Sequence, residues 1–272
     1  MPELPEVQAV VDSLNNSSIP GKVIQSIMSP NGYEPVCEND SLSNFQKFLQ
    51  KKQIKTIRRR GKFIIMELNS GFLLFHLRMT GRLLHVLDNE DEKKYTSLQI
   101  NFNDKSKLYF RDTRKFGRAY ISKTISWLEK RLGVEPLSDE LNPTWLFSLF
   151  KSHRRIVKSL LLDQQFIAGL GNIYVDEALW HAKIHPKSIS SKIKKLNINI
   201  LCQAIKTILK NAIESKGTTF IDFSYANNQK GTFKNQLKVF GRQDQPCLRC
   251  NHDIKKVFVA QRGTHYCERC QK

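Results

Sequence analysis

Val7, Val10, Val11 and Leu14 recur at the three-and-four spacing of one helical face, so a short helix is predicted after Pro5, a residue tolerated in a first turn. The breaker-rich stretch from Asn15 to Gly21 closes it. From residue 22 to 121 the apolar positions come in short runs, among them Val23–Met28, Phe63–Leu68, Phe72–Leu77, Leu98–Phe102 and Leu108–Phe110, with Gly, Asn, Asp and Ser between them. This pattern predicts a β-sandwich or barrel. A second helix fits residues 44–51.

The period changes near residue 125. Asn142-Pro143 supplies a cap and first position for a helix through Phe150. Ile156, Val157, Leu160 and Leu161 mark another. Ile173 to Ala182 is a third, halted before Pro186. Leu201, Ile205, Ile208 and Ala212 stripe a fourth, ended by Gly217. From Gly217 to Phe233 no period persists, and a polar loop of that length in a compact chain is functional or disordered. The expected organisation is α+β and multidomain: 1–125 a β-sandwich or barrel with the N-terminal helix, 126–216 a helical domain, 217–236 a loop, and 237–272 a cysteine-rich hairpin.

Composition adds a partner. The chain of 272 residues carries 44 Lys+Arg against 25 Asp+Glu, a net charge of +19. Such a surplus suits a polyanion, and duplex DNA carries about one negative charge per 1.7 Å. Drift toward Lys, Asn and Ile is the plainer source of the same excess. The basic residues do not form one amphipathic helix, no stretch reaches the roughly 20 apolar residues of a membrane span, and the N-terminus lacks a signal-peptide layout, so a cytoplasmic protein is expected.

Four of the six cysteines fall in the last 26 residues. Cys247-x2-Cys250, sixteen intervening residues and Cys267-x2-Cys270 form two knuckles suited to tetrahedral four-thiolate coordination. Four thiolates leave no open position, so the metal is structural, with zinc favoured over a rubredoxin-like iron. Ile254–Val259 and Thr264–Tyr266 read as strands around Ala260-Gln261-Arg262-Gly263, which puts Arg262 at a hairpin tip, free to touch phosphate or simply exposed. Cys37 and Cys202 read as small buried hydrophobes.

Three other stretches carry chemistry. A small residue after the initiator predicts removal of Met1, leaving Pro2 with a secondary amine of pKa about 7.7–8.0, well below lysine. An unprotonated amine attacks a sugar aldehyde carbon, and a secondary amine yields an iminium that cannot shed an N–H proton. Glu3 adjoins it as a proton carrier. Taken alone, a processing signal and a helix start explain these residues better. Gly169-Leu-Gly171-Asn172 between two helices is either a phosphate-gripping turn or a plain connection; without a preceding strand it is no dinucleotide fingerprint. Arg58-Arg-Arg60-Gly61-Lys62, His76-Leu-Arg-Met79 and Asp112-Thr-Arg114-Lys-Phe116-Gly117 mix basic, apolar and glycine residues at strand ends. His181 and His185 share a spacing but no zinc-protease motif.

Taken in order, these segments resemble the formamidopyrimidine-DNA glycosylases, from Pro-Glu-Leu-Pro-Glu at 2–6 through Arg-Gly-Lys at 60–62, His-Leu-Arg-Met at 76–79 and Asp-Thr-Arg-Lys-Phe-Gly at 112–117. Asp-Gln at 163–164, Ala-Gly-Leu-Gly-Asn-Ile-Tyr at 168–174, Lys183–Pro186, Gly-Thr-Thr at 217–219 and Arg-Gly-Thr-His-Tyr-Cys at 262–267 complete the match. The resemblance implies a β-sandwich, a helix–two-turn–helix domain and a four-cysteine zinc-finger hairpin, with damaged double-stranded DNA in a basic cleft between the halves. It implies a monomeric bacterial enzyme, cytoplasmic and nucleoid-associated, with one structural Zn2+ and no nucleotide cofactor.

By the same resemblance Pro2 attacks C1′, Glu3 protonates the sugar ring oxygen and Glu6 supports them. Lys62, His76, Asn172 and Arg262 hold phosphates about an extruded nucleotide, Lys62 and Arg262 counting with the catalytic set. Met79, Arg114 and Phe116 fill the vacated stack, Arg114 also facing the orphaned base. Thr218, Thr219, Phe220, Ile221, Asp222 and Phe223 belong to the loop over the flipped lesion. Leu4 and the Met79, Arg114, Phe116 trio separate the chain from the related endonuclease VIII enzymes of oxidised pyrimidines. A non-catalytic zinc-ribbon DNA-binding protein is the other rival. Lys115 stands where Arg is common, and Gln261 where Gly is frequent, which bears on the tip because Gln resists φ > 0.

Overall fold

In the computed structural model, residues 1–86, 94–218 and 231–272 are described. They form two compact units, Met1–Leu128 with Lys216–Thr232, and Glu129–Ser215 with Phe233–Lys272. The segment expected as a separate loop, 217–236, is thus shared between them.

The first unit opens with α1 (Leu4–Asn16), followed by β1 (Ile24–Met28), α2 (Leu42–Leu49), β2 (Ile54–Arg60), β3 (Phe63–Leu68), β4 (Phe72–His76), β5 (Arg82–Val86), β6 (Thr96–Phe102), β7 (Lys107–Arg111) and β8 (Arg118–Ser122). Two four-stranded sheets result, ordered β1-β6-β7-β5 and β2-β3-β4-β8. All pairings within them are antiparallel. The expected helix face is the one that α1 buries: Val7, Val10, Val11 and Leu14 join Ile64, Phe75, Phe102 and Phe110 in one core. Polar contacts fix its angle, Asn15 Nδ2 donating to the Ile57 carbonyl (3.0 Å) and Arg59 Nε to Gln8 Oε1 (3.1 Å). β3 covers the predicted run, β6 and β7 extend theirs by one or two residues at an end, and α2 begins two residues early, where Ser41 caps it through Asn44 N.

The short α3 (Ser126–Glu129) runs up to the division, with only Glu129 in the second unit. The second unit then contains α4 (Pro143–Ser152), α5 (Val157–Leu162), α6 (Asn172–His181) and α7 (Lys195–Glu214), and ends in the hairpin of β9 (Lys255–Val259) and β10 (Arg262–Tyr266). Asn142 caps α4 as expected, its Oδ1 accepting from Trp145 N at 2.9 Å. Helix α6 has no polar face. Ile173 through Trp180 are all buried, as befits a helix apolar on nearly every side. Its two acids are therefore inside the unit and must be partnered. Among the described residues no helix is long and apolar enough to cross a membrane.

Candidate active site and nucleic-acid interface

Pro2 and Glu3 lie buried at the mouth of α1, Glu3 only 3% exposed. Glu3 takes the cap position, with extended backbone. The Glu6 carboxylate, equally buried, accepts from Glu3 N through Oε2 (2.8 Å) and from Thr218 N through Oε1 (2.7 Å). One carboxylate thus fastens the chain start to the neck of the 217–232 segment, where Thr218 and Thr232 form an antiparallel bridge. Glu6 thereby tethers the Pro2-Glu3 backbone and satisfies two N–H groups that burial would otherwise strand. Thr219, Phe220, Ile221, Asp222 and Phe223 lie outside the described residues.

Lys62 and His76 come together at one end of the β2-β3-β4-β8 sheet. Phe63, next to Lys62, pairs with His76 across β3 and β4, and the two rings meet edge-on at 4.8 Å. His76 Nδ1 accepts from Arg78 N at 3.1 Å. Nδ1 is then the bare nitrogen and Nε2 carries the proton, so the ring presents a neutral N–H donor. Burial, with the Arg78 and Lys62 cations beside it, pushes the His76 pKa down to about 3 and keeps the ring uncharged near neutral pH. Such a donor suits a phosphate oxygen.

Met79 stands on the connection from β4 to β5, and Arg114 and Phe116 on that from β7 to β8. Met79 is 40% exposed and Phe116 46%. The Arg114 guanidinium lies 4.8 Å from the Phe116 ring centroid.

In the second unit, Gly169 adopts φ +86 and Gly171 caps α6, with Gln164 fastening the turn: its Oε1 accepts from Gly169 N and its Nε2 donates to the Leu170 carbonyl. Asn172 opens α6 and donates through Nδ2 to the Gly263 carbonyl at 2.8 Å. Gly263 follows Arg262, so the two predicted phosphate ligands of this unit are neighbours. Arg262 is exposed at the first position of β10, just after the two-residue turn Ala260-Gln261. Gln261 takes φ 58 and Ala260 φ 50: the turn keeps the left-handed geometry despite lacking glycine.

Beneath the hairpin lies a buried polar cluster that the sequence reading did not single out. Lys158, fully buried on α5, donates to Asp176 Oδ1 (2.5 Å) and Thr264 Oγ1 (2.7 Å). Asp176 Oδ2 accepts from His265 N at 2.8 Å. Glu177, next on α6, accepts from the backbone N–H groups of Lys238, Val239 and Phe240, all at 2.9 Å. Thus the two acids inside α6 are spent on holding the hairpin and the bend at 238–240 that precedes it. The only signal in the sequence is a lysine within the apolar run Val157–Leu162 and two adjacent acids in a helix with no polar face.

Cys247, Cys250, Cys267 and Cys270 gather with all four sulfurs within 4.8 Å of one another. A zinc–sulfur bond of about 2.3 Å implies tetrahedral edges near 3.8 Å, and Cys250–Cys267 (3.5 Å) and Cys247–Cys270 (4.0 Å) bracket that value. Trp180 Nε1 donates to Cys247 Sγ at 3.4 Å, a second-layer contact of the kind that orients metal ligands. The four thiolates fit one structural zinc ion, with no position left for a substrate. Cys37 and Cys202 are buried, and neither His181 nor His185 joins a candidate metal cluster among the described residues.

Residues 1–119 match the formamidopyrimidine-DNA glycosylase N-terminal domain, residues 132–224 the formamidopyrimidine-DNA glycosylase H2TH domain, and residues 244–272 a zinc finger found in FPG and IleRS. The formamidopyrimidine-DNA glycosylase of Protochlamydia amoebophila (strain UWE25) is 40% identical over 277 residues, covering 100% of both chains. A crystal structure of a Lactococcus lactis FPG mutant with Fapy-dG containing DNA is 35% identical, with a TM-score of 0.92 over 100% of both chains. A complex of the Lactococcus lactis Fpg with abasic-site DNA gives 0.91 at 35% identity over 99% of each. With its three domains matched in order and its whole length shared with such relatives, the chain belongs to the formamidopyrimidine-DNA glycosylase family.

Proposed function

We propose that this protein is a bifunctional DNA glycosylase and abasic-site lyase of base excision repair, removing 8-oxoguanine and formamidopyrimidines from double-stranded DNA. The observation that carries the reading is the buried Pro2-Glu3 start, clamped by Glu6, in a chain similar over its full length to glycosylases solved with damaged DNA. With Met1 removed, the Pro2 nitrogen attacks C1′ as the bond from C1′ to the damaged base breaks. Glu3 protonates the sugar ring oxygen as the ring opens, leaving an iminium between Pro2 and C1′. The iminium draws electrons from C2′, whose proton is lost as the 3′ phosphate departs. A second elimination releases the 5′ phosphate.

The glycosidic carbon is unreachable within a stacked duplex, so the nucleotide is extruded. Lys62 and His76 in the first unit, and Asn172 and Arg262 in the second, supply donors for the phosphates around it. Met79 and Phe116 replace the lost stacking, and Arg114 offers donors to the acceptor edge of an orphaned cytosine. Thr218 leads into the loop that covers the lesion. The protein acts as a monomer at the bacterial nucleoid, without a nucleotide cofactor. When bound, the zinc ion supplies rigidity to the hairpin and no chemistry.

Borohydride present during reaction with an 8-oxoguanine duplex should trap a covalent adduct through Pro2. An intact-mass spectrum beforehand establishes the free Pro2 terminus. Failure of mature, folded protein to form the adduct would overturn the enzymatic reading, and preferential cleavage of thymine glycol over 8-oxoguanine would overturn the purine assignment.

A further inference from the structure

The chain crosses between the two sheets of the first unit at 77–81, from β4 to β5, and again at 112–117, from β7 to β8. Because β4 pairs with β8 (His76 with Arg118) and β5 with β7 (Arg82 with Arg111), topology places the two crossings side by side at one end of the sandwich. The first carries Met79, the second Arg114 and Phe116.

Two buried groups join them. Asp112 is 1% exposed. Its Oδ1 accepts from Arg114 N at 3.0 Å and, across the gap, from the hydroxyl of buried Thr80; its Oδ2 accepts from Gly117 N at 2.6 Å. One carboxylate thus shapes the Arg114–Phe116 turn and grips the residue that follows Met79. The second group is the Phe110 ring. A Cβ on Gly81 would come within 3.0 Å of it and within 2.5 Å of the Leu77 carbonyl, and a Cβ on Gly117 within 2.5 Å of the ring. Both crossings are pressed onto the same aromatic floor, at two positions where only glycine fits.

We infer that Asp112 and Thr80 form a positioning clasp that locks the two crossings into one rigid body, so that Met79 and Phe116 enter the base stack in a fixed mutual orientation. This rests on the reading of Met79, Arg114 and Phe116 as the residues that fill the vacated space. An acid needed only to build its own turn would use the Arg114 and Gly117 amides and would have no use for Thr80. The bond across the gap gives the two turns a directional link that the shared Phe110 floor alone does not supply. A small displacement at a constellation of this kind costs rate steeply, about a hundredfold for 1 Å in unfavourable cases.

Thr80→Val removes the cross-link and leaves both amide bonds of Asp112 in place, while Thr80→Ser keeps the hydroxyl. Two single-turnover rates are compared: excision of 8-oxoguanine opposite cytosine in duplex DNA, which needs the space filled, and strand cleavage at an abasic site in single-stranded DNA, which has no opposing base to stabilise. The clasp predicts that Thr80→Val loses about tenfold or more on the duplex and stays within about twofold on the single strand, with Thr80→Ser near wild type on both. Unchanged duplex excision in Thr80→Val, or equal loss on both substrates, would overturn the clasp. Met79→Ala and Phe116→Ala identify which idea failed. If they too leave duplex excision intact, the space-filling reading falls and the clasp with it; if they impair it while Thr80→Val does not, only the clasp falls.

Discussion

Pro2, Glu3 and Glu6 are buried, and the acceptors around them are matched to backbone N–H groups of the same unit. Arg262, by contrast, stands exposed on the first residue of β10. What holds the hairpin is a layer beneath: the Lys158–Asp176–Thr264 cluster, the Glu177 carboxylate under residues 238–240, and the four thiolates. Under the proposed function, the difference follows from the task. A reacting amine needs a dry, preformed setting whose donors and acceptors are already paired. A phosphate ligand must reach outward, so its precision is delegated to buried neighbours. The first region should thus tolerate damage to the second, and the tests below rank the ways of showing otherwise.

The largest effect belongs to the metal. A structural zinc contributes on the order of 10–16 kcal/mol in small finger peptides. Strong chelation of the whole protein should release about one zinc per chain and abolish tight duplex binding, while hydrogen exchange at the amides of Glu3 and Thr218 stays slow. Equal loss of protection in both regions would break the comparison. Next is Lys158→Met, which leaves Asp176 as an uncompensated buried carboxylate. Breaking such a pair costs about 3–5 kcal/mol, read as a drop in the urea midpoint at constant m-value. A cost below 1 kcal/mol would show that the cluster does not carry the hairpin.

These buried layers are where sequence reading fell short. The helix faces of α1 and α7, the Asn142 cap and the knuckle cysteines are legible because each depends on local spacing. In β2, Arg58, Arg59 and Arg60 look like a basic cluster and mask a strand whose inward residues are Ile54 and Ile57. β8 starts at Arg118, whose charge is satisfied by Glu38 far away in sequence. Asp112 and Thr80 meet across 32 positions, and Lys158 and Thr264 across 106. No local pattern encodes such pairings; the only trace is a polar residue where the apolar period expects none.

A smaller effect separates the regions by pH. His76 titrates near 6.5 in the unfolded chain but near 3 when folded, held down by burial and by Arg78 and Lys62. Between those values the unfolded chain binds the extra proton, so stability is full above pH 6.5 and falls as pH drops toward 3. At pH 5.5 the loss from this one group is about 1.4 kcal/mol. His76→Asn should lose correspondingly less between pH 7.5 and pH 5.5 in urea titrations, and an identical pH slope in the variant would exclude the buried neutral ring as its source.

The smallest effect tests how the exposed region is tuned. A two-residue hairpin turn with both φ angles positive favours glycine at its second position, yet Ala260 and Gln261 hold φ 50 and 58. A non-glycine residue held there costs roughly 1–2 kcal/mol. Gln261→Gly relieves that strain but loosens the unfolded chain, which takes back about 0.4–1 kcal/mol. The net expectation is a gain of about 1 kcal/mol or less in the zinc-loaded protein, seen as a slightly higher urea midpoint. Arg262 keeps its place on β10 in either case, so duplex affinity should change less than stability does. If affinity falls while stability rises, the strained tip itself fixes the direction in which Arg262 points, and the exposed region carries part of its own organisation after all.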